Sequence, residues 1–204
     1  MEEKNLTEQE SLRIIQQMIS TAKNEQKDNG MGWILWGWLL FLASLFTFLN
    51  LRLNWLDHFF FWNAFGAITI LLLLYQAIRF FSRGTKVRVR TFTSDLFSKL
   101  NMGFILSLFL IIVSMNVGYP GANVPPVKGF ALLLGLYGFW ILIYGAALNF
   151  RPSIIGAYLT WGFAFASLFV TSFEWTMILH AIAVLCGYII PGHIAYREFN
   201  KISG

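Results

Sequence analysis

The sequence predicts an all-α fold: a six-helix transmembrane bundle with a cytoplasmic amphipathic N-terminal helix and both termini inside. Three observations predict it. The 204-residue chain is 57% hydrophobic and only 12% charged, where a soluble domain carries about 25% charged residues. The charges cluster at the two ends and in a few short loops, which leaves six long apolar runs between them. The basic residues also fall almost entirely on alternate loops, the signature of a chain whose orientation is set by Lys and Arg staying in the cytoplasm.

That orientation rests on residues 79–99, which hold six Lys/Arg against one acid, Asp95. Placing this loop inside, with six spans, assigns the interior thirteen basic residues: four from residues 1–30, the six of the loop, Arg151, Arg197 and Lys201. The exterior keeps two, Arg52 and Lys128. The same asymmetry accounts for a pI of about 9.5 without a nucleic-acid partner. The single cysteine, Cys186, lies in an apolar run, so neither an internal disulfide nor a Cys/His metal site is expected. Residues 1–30 contain six acids and no apolar core, unlike a cleavable secretory leader.

Residues 1–30 are expected to form a cytoplasmic helix. Thr7 and Glu10 have capping-box spacing. Leu12, Ile15, Ile19 and Ala22 make one narrow apolar stripe, and Asn29-Gly30 is a stop signal. Four bases and six acids give this segment a charge of −2, whereas helices that lie on lipid are usually basic. It is therefore expected to lean on the basic loop of its own chain. The docking residues are Leu12, Ile15 and Ile19 on the helix and Arg83, Lys86, Arg88 and Arg90 on the loop. A cytoplasmic protein partner is the alternative.

The spans, within a membrane domain of residues 31–199, are placed at about 32–51, 59–81, 102–117, 129–149, 154–171 and 175–196. Trp33, Trp36 and Trp38 crowd the start of the first, as indoles do near lipid headgroups. The basic loop occupies 82–101. The third span is short for a hydrocarbon core that needs about 20 residues, and its helix could begin earlier, near Ser94-Asp95. Pro152 suits a first helical turn, and residues 172–174 turn the chain into the last span. Ser-Leu-Phe recurs at 44–46, 107–109 and 167–169, preceded by Trp-Gly at 36–37 and at 161–162. Tandem hairpins would produce this pattern. So would chance in a chain rich in Leu and Phe, which is the preferred reading.

Few residues could carry chemistry in the apolar interior. His180 is the one ionisable side chain well inside a span, and such residues are functional candidates by default. A neutral histidine bonded between helices is the competing structural reading. Asn116, Asn63, Gln76 and Tyr158 complete the candidate intramembrane polar site. His193 lies thirteen residues after His180, which at about 1.5 Å per residue is roughly 20 Å away, so the two cannot share a metal. Gly135, Gly138, Gly145 and Ala146 suit close helix packing, with a lipid or ligand groove as the alternative. No catalytic, cofactor-binding or metal-ligating residues are assigned. Six spans with a late histidine resemble rhomboid proteases in layout, but the fourth span contains no serine to act as nucleophile. A basic loop between spans 2 and 3 resembles the ATPase-docking loop of ABC-exporter permeases, which usually carry a larger segment between spans 5 and 6.

Glu10-Ser11-Leu12, Ile15, Met18-Ile19, Ala22-Lys23, Asn29-Gly30 and Trp36-Gly37 together resemble a group of small multi-span membrane proteins of Bacteroidota. The likeness covers roughly the first 40 residues. It implies a bacterial inner-membrane location and brings no activity or site residues with it. The leading functional expectation is a non-enzymatic protein with an interaction or regulatory role at its cytoplasmic face. The expected partners are the bilayer, a cytoplasmic protein and a second copy of the chain. The alternative is a small transporter or a lipid- or small-molecule-binding bundle.

Overall fold

The structure is a computed structural model that describes residues 30–82, 92–117 and 127–203. The expected helix over residues 1–30 and the docking residues Leu12, Ile15, Ile19, Arg83, Lys86, Arg88 and Arg90 lie outside them. The described residues are helical: α1 (Met31–Leu53), α2 (Phe60–Ser82), α3 (Phe92–Val117), α4 (Val127–Ala147), α5 (Arg151–Phe169) and α6 (Phe173–Val184), which runs through a π-turn (Leu185–Ile189) into α7 (Ile190–Ser203). Five segments are long and apolar enough to cross a membrane: α1, residues Phe97–Met115 of α3, α4, α5, and Phe173–Lys201. In α2 the apolar stretch is the shorter Phe60–Leu72.

The boundaries follow local chemistry. Asn54 ends α1 and Asn149 separates α4 from α5, both at positive φ (49° and 51°); asparagine tolerates this left-handed conformation better than most residues. Pro152 sits in the first turn of α5, as expected. α3 begins at Phe92, within the stretch given to the loop and two residues before the earlier start expected near Ser94-Asp95. Extending a nucleated helix costs little per residue, so its polar first turns join the apolar part in one rod.

α6 and its continuation form the axis. α1 runs antiparallel along one flank: Gly37 packs on Tyr188 and Ile189, Ser44 meets His180, and Arg52 pairs with Glu174 at 3.4 Å. α5 runs antiparallel along another, with Gly156 against Cys186 and Gly187, and Thr160 against Ala183. α4 and α5 make the closest-packed hairpin. There a Cβ on Gly138 would meet the Trp161 ring at 2.6 Å, and one on Gly145 would meet Ser153 at 2.9 Å. Gly138 and Gly145 therefore serve helix packing, while a Cβ on Gly135 would meet nothing within 4 Å and Ala146 is exposed. α2 packs on α1, and α3 on α4.

The distribution of side chains inverts that of a water-soluble bundle. Ser44, Thr47, Ser153, Thr160, Ser167, Thr176 and His180 are buried at 0–2% exposure, while Leu71, Phe109, Leu110 and Phe165 are 65–67% exposed. Small and hydroxylated residues let helix backbones approach, and large apolar ones face hydrocarbon. An apolar surface this extensive marks a lipid-facing protein. This is a multi-span helical membrane architecture.

Candidate functional site

The site is built around His180, two turns into α6 and fully buried. Across from it, α1 brings its narrow stripe of small and polar residues, including Gly37, Ser44 and Thr47. Ser44 Oγ donates to the Leu40 carbonyl at 2.8 Å and lies 2.9 Å from His180 Nδ1. A serine hydroxyl has one proton, and the Leu40 bond uses it. With that proton on the Leu40 carbonyl, Nδ1 carries the imidazole proton and donates to Ser44, and Nε2 is a bare acceptor. Nε2 is buried with no hydrogen-bond partner among the described residues.

Three aromatic rings surround the imidazole edge-on: Trp62 of α2 at 5.2 Å, and Phe130 and Tyr137 of α4 at 6.0 Å each. The Trp62 indole N–H donates to Met177 Sδ at 3.1 Å, a weak acceptor. The cluster belongs to a longer aromatic column. Tyr137 meets Tyr188 at 6.1 Å, Tyr188 meets Trp33 at 5.0 Å, and Trp33 meets Tyr144 at 4.7 Å. In the other direction Phe130 meets Phe173 at 5.4 Å. Trp33 is thus drawn into the bundle, and of the three tryptophans that the sequence reads as interfacial, Trp38 is the exposed one.

The π-turn lies one turn beyond the imidazole. Pro191 has no N–H, so it cannot bond the carbonyl four residues back, at Gly187; the wider turn absorbs the mismatch without breaking the rod. Gly187 closes against Thr160 and Ile141 there. His193 bonds its own helix, with Nδ1 2.8 Å from the Ile189 carbonyl, and is not part of the His180 site.

The other sequence candidates do not converge on His180. Asn63 is exposed, although its neighbour Trp62 faces the imidazole. Tyr158 is 59% exposed on α5 and stacks against Trp161. The side chains of Gln76 and Asn116 lie outside the described part. Sequence reasoning missed Ser44, Trp62, Phe130, Tyr137 and Met177 as members of the site. The spacing of Gly37, Ser44 and Thr47 carried part of the signal, because three- and four-residue steps put small and polar groups on one helix face.

A second buried atom without a partner, Ser167 Oγ, belongs to α5. The antiparallel pairing of Thr160 with Ala183 places Ser167 level with Thr176, about one turn before His180. Among the described residues no group of three or more His, Cys, Asp or Glu could hold a metal ion. Comparison with family models, with curated proteins and with solved structures finds no match to this chain.

Proposed function

We propose that the chain is a six-pass bacterial inner-membrane protein with both termini in the cytoplasm, and that it is non-enzymatic, with an interaction or regulatory role at its cytoplasmic face. The observation that supports this is the segregation of charge between the poles of the bundle. Gly30 packs against Gly192 and Ala195, and Phe97 against Tyr144. The starts of α1 and α5 and the end of α7 therefore share one pole with the first half of α3. Lys99, Arg151, Arg197 and Lys201 lie there, with Glu198. The other pole carries Asp57, Lys128 and the Arg52–Glu174 pair. Positive charge at one pole is what cytoplasmic retention of Lys and Arg produces. The sides are apolar, so specific polar recognition is left to the ends.

The test has two parts. Reporter fusions at Arg52 and at Arg88 should report opposite compartments; the same compartment would end the six-pass reading. Affinity capture with the full chain should recover a cytoplasmic partner that is lost when residues 1–30 are removed and the Arg83, Lys86, Arg88 and Arg90 charges are neutralised. Unchanged recovery would end the docking reading.

One observation favours a second reading, a lipid- or small-molecule-binding bundle: the unpartnered acceptor of His180 inside an aromatic cluster. Loss of binding or transport in His180→Ala with the fold retained would support it.

A further inference from the structure

Two pairs of helices flank the axis without meeting. α2 packs on α1 and α3 packs on α4, but among the described residues the backbones of α2 and α3 do not approach each other, nor do those of α1 and α4. What fills the space between these walls, in front of α6, is side chains: Trp62 from one wall, Phe130 and Tyr137 from the other, and Met177 and His180 from the floor. The closure is made by rings, not by helix-to-helix contact. Trp62 belongs to a peripheral helix, and its N–H is held by a thioether sulfur.

From this arrangement we infer that the region between α2 and α3 is a lateral entry to a binding site for a neutral amphiphile with a hydroxyl group on a long apolar chain, and that His180 Nε2 accepts the hydroxyl hydrogen bond. The inference rests on the second reading above. Three features select this chemistry. An unpartnered acceptor calls for a donor, so a carbonyl or ether group cannot satisfy it. Trp62, Phe130 and Tyr137 around it carry no charge, and the charged side chains of the described residues lie at the poles, so an ionic headgroup would be left without a counter-charge. The entry lies between lipid-facing helices whose outer residues, Leu71 on α2 and Phe109 on α3, are strongly exposed, so the apolar chain can remain in the hydrocarbon phase. A bound hydroxyl would give His180 Nε2 the partner it lacks among the described residues. Trp62 would move aside to admit it, giving up its weak bond to Met177 and its ring contacts with Phe130 and the imidazole.

The experiment uses the full chain in lipid nanodiscs and a diazirine-bearing hexadecan-1-ol as photoprobe, with its methyl ether as the matched probe lacking the donor. Labelled residues are mapped by mass spectrometry. The alcohol should label around Trp62 and Phe130, be displaced by unlabelled hexadecan-1-ol, and label about tenfold more than the ether, as expected for one hydrogen bond. His180→Phe keeps an aromatic ring and should bring alcohol labelling down to the ether level. Equal labelling by alcohol and ether, or unchanged labelling in His180→Phe, overturns the inference. Competable labelling that maps elsewhere on the bundle and ignores His180 would leave the binding reading standing and remove this site. Should His180→Phe fail to fold, nitrogen-15 spectra of the histidines in the wild-type chain decide: Nδ1–H with bare Nε2 supports the site, and a proton on Nε2 overturns it.

Discussion

Ser44 and His180 face each other between α1 and α6, and each depends on the other. If Ser44 is replaced by Ala, Nδ1–H loses its acceptor in a place water does not reach. A buried donor left without a partner costs about 1–3 kcal/mol. Ser44→Ala should therefore lower stability by that amount in a detergent unfolding titration. The double variant Ser44→Ala with His180→Phe should lose less than the sum of the two single changes, because the stranded donor is gone; strict additivity would show that the pair is not coupled. The glycines give a second residue-scale contrast. A Cβ on Gly156 would sit 2.7 Å from the Cys186 carbonyl oxygen, which is backbone and cannot swing away, whereas a Cβ on Gly162 meets nothing within 4 Å. Gly156→Ala should cost about 1–3 kcal/mol through overpacking. Gly162→Ala, relieved of the helix penalty of glycine, should gain up to about 1 kcal/mol. The same unfolding titration separates the two.

At the scale of elements, the rod from Phe173 to Ser203 is unusual in carrying a π-turn over Leu185–Ile189. A π-turn holds one residue more than the α-helix around it, so deleting one residue there can restore ordinary α-geometry without rotating the flanks. Deleting a residue from α6 proper turns everything beyond it by about 100°. A Leu185 deletion should therefore give a monodisperse protein by size exclusion in detergent, and an Ile182 deletion should not. Equal behaviour of the two would mean that the wide turn is not the register device it is taken to be here. The residues matched by the Ser-Leu-Phe recurrence can also be compared at this scale. Gly37 packs tightly on Tyr188 and Ile189 while Gly162 has open space, and Trp36 stacks on Phe65 while Trp161 donates to the Gly135 carbonyl. Residues that match in sequence have different surroundings.

For the whole molecule, the decisive quantity is the solvent around its sides. Leu110 on α3 is 67% exposed. In water, Leu110→Arg would be harmless. At the centre of a bilayer an arginine costs about 2.5–3.5 kcal/mol. The variant should insert poorly, measured as the membrane-integrated fraction after expression, and wild-type insertion would contradict a lipid-facing α3. The Arg52–Glu174 pair, by contrast, has half-exposed side chains at one pole, and exposed pairs contribute about 0–1 kcal/mol. Arg52→Ala should therefore barely move stability. The solvent, the helical class and the approximate helix limits were legible in the sequence, because long apolar runs, Pro152 and the asparagine ends act locally. The site was only half legible. His180 stood out as an ionisable group among apolar ones, but Trp62 and Tyr137 look like any other aromatic residues of this chain.

The sequence by itself determined that the described part of the chain is made of apolar helices joined by short turns, because hydropathy and turn chemistry are properties of neighbouring residues. Only the tertiary structure decided which faces of those helices meet. It turned Trp33 inward and Tyr158 outward, placed Ser44 against His180, and left Nε2 without a partner. The physical reason is that all sides of a membrane helix are apolar, so hydropathy does not distinguish the inner face from the outer; close packing of small residues and the pairing of buried polar groups do, and both require a second helix.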